Sequence, residues 1–563
     1  MPRSLMPTPG ARVCLCYCLG LCWLALAPAR LALAQAEGHQ HAHAPATAGA
    51  PERLGTVHFE TSCAPAVRDD FNRAVALLHS FWFSAALDGF KGVLAKDPGC
   101  TIADWGIALS YWNNPFSQTR NAKFMQSGLE AIRSADATPP KSPRERDFLA
   151  AVDALYKDYP TVDQRRRILA YESAMAKLAQ DYPQDKEATI FYALALAQAA
   201  EPTDKTYAKQ LKAGALLENL FAQYPDHPGL AHYIIHTYDV PPLAPKALDA
   251  AKRYSTIAPS APHALHMPSH TFTRVGAWED SITANIASAA AARKEPGATA
   301  EELHASDYQV YAYLQTGQDR AAKAIVDAVP EIVARLDVNA VGGAAPGTAG
   351  LFARSAIPAR YALERGAWAE ATKLPTVSSE APWADAMTHF ARALGAARSG
   401  QPAAAQPDLD KLVQIREQLK TAKNDYWAGQ VDIQWRAASA WTAYASGKRE
   451  DALKMLREAA TMEDATEKAA VTPGPLAPAR EQLAEMLLDS KEYTAALAEF
   501  ETALKREPRR FRSVYGAAHA AELASNRAKS AQYYQQLLEI CRKADADGRP
   551  ELTAARKSTK SSL

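Results

Sequence analysis

Two histidine pairs near the middle of the chain keep a spacing that points to a repeated helical architecture. His232 and His236 are four positions apart, as are His266 and His270, and the step from His232 to His266 equals the step from His236 to His270. Positions four apart share one face of an α-helix, and a step of roughly 34 residues is the period of a stacked helix-turn-helix unit. Four imidazoles should therefore stand two by two on one wall. His263, three positions before His266, falls on the same face, so five of the chain's 14 histidines gather in this patch.

At 563 residues the chain is too long for one ordinary core and suits several domains or one extended array. Ala-rich helical segments dominate, alternating β-branched runs are scarce, and Pro and Gly fall mainly between the helical segments. The expected class is all-α. With 63 Lys and Arg against 62 Asp and Glu, no basic stripe interleaved with aromatics appears. Nucleic acid is therefore not expected as a partner.

Residues 1–36 read as a signal peptide: Arg3 and Arg12 precede an apolar run from Val13 to Ala27, and small residues follow at Ala32, Ala34 and Ala36. A periplasmic or secreted location is expected, and no later stretch is apolar enough for a membrane span. Cleavage leaves Cys63, Cys100 and Cys541. In an oxidising compartment Cys63 and Cys100, which flank the first helical hairpin, are candidates for a disulfide, three buried thiols being the alternative. Residues 37–66 read as a flexible His/Ala/Pro-rich tether and entry segment containing His39, His41 and His43.

From Phe71 to Pro98 the chain carries Ala74, Ala86, Phe90 and Pro98 at tetratricopeptide-repeat spacing. A C-terminal copy carries Ala484, Ala496, Phe500, Ala503 and Pro508, and Gly317, Gly366, Gly400 and Gly447 mark further hairpin turns. Most of residues 67–541 thus resembles that repeat family, which implies a TPR-like α-solenoid wound as a right-handed superhelix. Two halves are expected, 67–337 and 351–545, joined by a Gly/Ala-rich linker at 338–350, with a disordered tail at 546–563. The chain also resembles a group of exported bacterial tetratricopeptide proteins, through Val57-His58-Phe59, the HSFWF run from His79, HALHMPSH from His263 and the EKxxVTPGP pattern from Glu467. No established activity transfers from that group. Histidine and proline stand there where this chain has Ala469 and Ala470.

The resemblance implies that the second, fifth, ninth and twelfth residues of each repeat face the concave groove. His232, His236 and Asp239 then occupy positions five, nine and twelve of one unit, and His263, His266 and His270 positions two, five and nine of the next. A third unit registered on Gly317 puts His304 and Asp307 at positions two and five. Neighbouring helices pack roughly 8–10 Å apart, a gap that facing imidazoles can close around one ion. Imidazole with carboxylate suits Zn, Cu, Ni or Fe.

HALHMPSH is not the HExxH zinc-protease pattern, and no phosphate loop, nucleophile elbow or CxxC pair occurs. Trp105, Trp112 and Asn113 are candidates for lining the ligand groove. Three functions fit. One is a solenoid binding a protein, peptide or small ligand in its groove, with a divalent-metal site at the histidines. The second is a metalloenzyme at the same cluster, with Asp239, Asp307 or Glu467 as base. The third is a metal-free scaffold whose histidines only hydrogen-bond.

Overall fold

The computed structural model describes residues 52–117, 120–546 and 548–561. The expected leader and the tract of His39, His41 and His43 lie outside these residues. Helices and their connections make up the described chain, with no strand among the described residues. Successive helices pair as antiparallel hairpins that stack on one another, giving a tetratricopeptide-type α-solenoid. No helix among the described residues is long and apolar enough to cross a membrane.

The repeat consensus works through close approach. A Cβ on Gly106 would lie 2.3 Å from the Phe90 ring, and one on Gly516 would lie 2.2 Å from the Phe500 ring. Phe90 precedes Gly106 by the same interval as Phe500 precedes Gly516, so one and the same lock closes the N-terminal and C-terminal repeats. The hairpin turns at Gly317 and Gly366 take φ of +70° and +63°, which an L side chain resists.

The segments outside the regular repeats are also ordered where they are described. The entry segment is docked from residue 54 onward: Leu54, Val57 and Phe59 are buried, and the Phe59 ring packs on Phe71, Trp105 and Phe148. Cys63 and Cys100 form a disulfide with Cα atoms 4.7 Å apart. The tail is not disordered over its described part, because Pro550–Ser561 is a helix that buries Leu552 and Ala555. Segment 338–350 is tied down along its length rather than slack. Ser84 N–H donates to Gly342 O, Asn114 Nδ2 to Ala344 O, and Ala345 N–H to Glu301.

Long-range contacts bring the later repeats back onto the earlier ones. Trp278 Nε1 donates to Arg509 O, Phe511 N–H donates to Gln315 Oε1, and Arg549 pairs with Asp319. The loop after helix Arg449–Asp464 enters the space this creates. Lys205 pairs with Glu467, Arg506 donates to the carbonyls of Asp464 and Thr466, and Arg360 donates to that of Gly474. Together, loop 465–478 and segment 338–349 cover the inner faces of the central helices.

Candidate functional site

Under this cover lies the histidine cluster. Helix Pro228–Thr237 supplies His232 and His236, and helix Pro262–His266 supplies His263 and His266. Its continuation Pro268–Val275 supplies His270, and helix Thr299–Gln315 supplies His304. Pro at the first position of three of these helices starts them without losing a needed N–H. Five of the six histidines are buried and His236 is half-buried.

The rings divide into two triads: His232, His236 and His263 form one, and His266, His270 and His304 the other. In each, three ring nitrogens lie within 4.8 Å of one another. The expected cross-repeat pairing is present, with the His236 and His270 rings 5.8 Å apart, but it links the triads instead of defining a single shared site.

Fixed tautomers give the cluster its chemistry. His232 Nδ1 lies 2.6 Å from the His79 carbonyl, an acceptor only, so Nδ1 carries the proton and Nε2 a bare lone pair. His263 Nδ1 faces Glu301 at 3.0 Å, and His270 Nδ1 faces Asp239 at 2.9 Å. His266 Nδ1 faces Asn285 Oδ1 at 2.6 Å, and the Asn285 amide nitrogen is engaged with Ser281 O. A ring that donates from Nδ1 is left with Nε2 as an acceptor. The Nε2 atoms of His232, His236 and His263 are buried and have no hydrogen-bond partner. Those of His266 and His270 lie 3.0 Å apart, at hydrogen-bond distance, so one of the two rings carries its proton on Nε2 unless a cation lies between them.

Protonation does not relieve this crowding. Burial, reinforced by neighbouring rings, holds His232, His236, His263, His266 and His304 well below the usual imidazole range. His270 is also lowered by burial, with Asp239 opposing. Burial pushes the Glu301 carboxyl up, against stabilisation by His266 and by the Ala345 N–H. Around the rings, Phe81 adopts φ of +54° and wedges its ring against His232, at 4.3 Å, and His263, at 5.8 Å. A left-handed non-glycine residue costs about 1–2 kcal/mol, and here that conformation seats an aromatic wall on the cluster.

A cavity of about 60 Å³ opens over the rings, lined by His236, His263, His270 and His304. Phe116, Trp383 and Trp427 form its aromatic side, and the two indoles stack 4.3 Å apart. Ala345 and Ala470 close it from the covering segments, so no open peptide groove runs along these rings.

Three candidate bases are placed elsewhere or are already engaged. Asp239 binds His270, Arg274 and Lys468, which makes it a positioning residue. Asp307 is fully buried against Arg360 in a two-pronged pair and does not join the rings, because Arg360 reaches it from the next helix hairpin. Glu467 belongs to the covering loop and pairs with Lys205 and Tyr207. Trp105 is not in a groove: it is 1 % exposed and packed among Phe59, Phe90, Phe148 and Phe191. Trp112 and Asn113 do line a second cavity of about 220 Å³, beside Arg120 and Trp383. Sequence reading missed Glu301, Asn285, Lys468 and the His79 carbonyl. Glu301 alone carried a signal, standing three positions before His304 on the same helix face.

Fold and site together define the class: an α-solenoid with an internal, all-imidazole cluster under two covering segments. No protein-family model matches the chain, and no curated protein matches it. Solved structures of a human IFIT1 dimer, one with m7Gppp-AAAA and one with PPP-AAAA, are similar in fold. They give TM-scores of 0.37 and 0.35 at 9% and 11% identity, over 78% and 86% of this chain and 90% and 98% of those chains. A likeness at that level transfers no ligand.

Proposed function

We propose that this chain is a metal-binding solenoid: the histidine cluster holds a first-row transition metal of the Zn, Cu, Ni or Fe class and presents it to a small ligand in the cavity above. One observation carries the reading. Groups behind the rings engage Nδ1 of His232, His263, His266 and His270, and the buried Nε2 atoms of His232, His236 and His263 have no protein partner. In the metal-free scaffold alternative those nitrogens need hydrogen-bond donors, which no protein group supplies to His232, His236 and His263. Two ligands about 2.1 Å from one ion at a right angle stand roughly 3.0 Å apart. The His266–His270 separation of 3.0 Å suits that arrangement.

The occupant of the cavity is a small molecule in this reading, since the covering segments leave no room for a peptide at the rings. An open coordination position would let the metal polarise such a molecule or activate water. That is the enzymatic form of the same reading. Export belongs to it too, supported by the basic and apolar start of the sequence and by the Cys63–Cys100 disulfide.

Equilibrium dialysis of the untagged chain against Zn²⁺, Cu²⁺, Ni²⁺ and Fe²⁺ tests it. Binding of at least one of these ions is expected, with uptake lowered by His236→Ala, by His270→Ala and most by the two together. Equal uptake by wild type and the double variant His236→Ala/His270→Ala would make the cluster a hydrogen-bond network.

A further inference from the structure

The two triads are built alike. In each, two rings four positions apart are completed by a ring from the start of the next unit's inner helix. His232 and His236 recur one repeat later as His266 and His270, and the part played by His263 is taken in the following unit by His304. The same repeat geometry that makes one three-nitrogen site therefore makes a second beside it. The triads touch, with the rings of His263 and His266 5.8 Å apart. Both open onto one cavity, because His236 and His263 of the first triad and His270 and His304 of the second line it together.

Charge narrows what can fill them. All six rings are neutral ligands, and no cysteine or carboxylate stands among them. Behind the rings are two carboxylates, Glu301 on His263 and Asp239 on His270. Asp239 also faces Arg274 and Lys468, so these four groups carry no net charge when all are ionised. None of these four groups lines the cavity, and its lining holds no Asp, Glu, Lys or Arg. Two divalent ions would put four positive charges into this buried space, whereas two cuprous ions put in two. Burying unpaired charge is costly, and imidazole is a ligand that suits copper.

We infer that the six histidines hold two copper ions, one in each triad, both open to the shared cavity, where a small uncharged ligand can reach them. This rests on the metal-binding reading above and goes further in number, identity and ligand. Three nitrogens about 2.0 Å from one ion stand roughly 3.5 Å apart, so rings spread up to 4.8 Å must draw in and the His266–His270 pair, at 3.0 Å, must open slightly.

The test uses the untagged chain, loaded with Cu(I) without air in the presence of ascorbate and passed through a desalting column. Two copper ions per chain are expected, with an X-ray absorption spectrum showing about three nitrogen neighbours per copper at ~2.0 Å and no sulfur. Carbon monoxide, a small neutral ligand of cuprous copper, should give an infrared band. His232→Ala/His263→Ala and His266→Ala/His304→Ala should each retain one copper while keeping the wild-type helical circular dichroism. The wild-type stoichiometry and absorption spectrum need no variant to fold. One copper per chain, or loss of both ions from either folded double variant, overturns the pair and leaves the metal-binding reading standing. Two zinc ions retained against an equal supply of copper overturn the choice of metal. No carbon monoxide band overturns the open cavity, and no uptake of any metal overturns this inference together with the function it rests on.

Discussion

Acidification should destabilise the metal-free chain, and the size of the effect follows from the buried rings. His232, His236, His263, His266 and His304 are held neutral by burial, with pKa values well below the ordinary one. A ring whose folded pKa lies below its unfolded value binds fewer protons folded than unfolded. Its contribution is therefore complete above about pH 6.5 and is lost as the pH falls. Between pH 7 and 5.5 one such ring costs at most about 1.2 kcal/mol, and five at most about 6. Carboxyls pushed up by burial act in the opposite sense, Glu301 and Asp307 among them. Glu463, buried and pushed up to about 8, returns roughly 2 kcal/mol over that interval, and Asp104, pushed up to about 6 by burial, returns somewhat under 1. Over the five rings, Glu463 and Asp104, a net loss of up to about 3 kcal/mol remains, a large part of the ~5–15 kcal/mol typical of a folded domain. Urea unfolding of chelator-treated protein at the two pH values measures it. His236→Ala/His304→Ala removes two of the five rings and should shrink the loss by up to about 2.5 kcal/mol. Equal or higher stability at pH 5.5, with no difference between wild type and the double variant, would refute the reasoning, because it would mean that the rings already carry protons in the fold.

Glu301→Gln should lower metal affinity by about 10–100-fold without unfolding the chain, since the carboxylate only orients His263 and raises its basicity; competition with a chromophoric chelator reads this out. Trp278→Ala should cost about 3–5 kcal/mol in urea unfolding. It removes a 2 % exposed indole that packs on Tyr311 and donates to Arg509 O, while metal bound per folded molecule should stay unchanged. Cys63→Ser/Cys100→Ser opens a loop of 37 residues and should cost about 4 kcal/mol on the chain-entropy account, seen as a lower thermal midpoint.

The histidine cluster was legible because a solenoid converts sequence period into spatial adjacency. His232, His236, His266 and His270 could be placed from spacing alone, and His304 followed from the turn at Gly317. What spacing could not reveal was contact across many repeats. Glu467 and Lys468 reach back across several repeats to Lys205 and Asp239, through a loop with no period of its own. The same limit hid the fate of Asp307. Its position was read as facing the groove, but Arg360, from the next helix hairpin, takes both of its oxygens. Trp105 sits on an inner helix yet faces four phenylalanines, because helix Ala103–Trp112 is buried on nearly every side. Segment 338–350 shows how composition can mislead: Gly and Ala there serve close packing. A Cβ on Gly347 would meet Val338 at 2.3 Å, and one on Gly342 would meet Gly297 O at 2.8 Å.

The metal content of the untagged chain, purified at pH 7 without chelator and measured by inductively coupled plasma mass spectrometry, tests the central claim most directly. The unpartnered Nε2 atoms of His232, His236 and His263 and the 3.0 Å His266–His270 contact predict a stoichiometric transition metal that leaves as acid protonates the rings. A chain that holds no metal at pH 7, and takes none up when offered, would contradict the account.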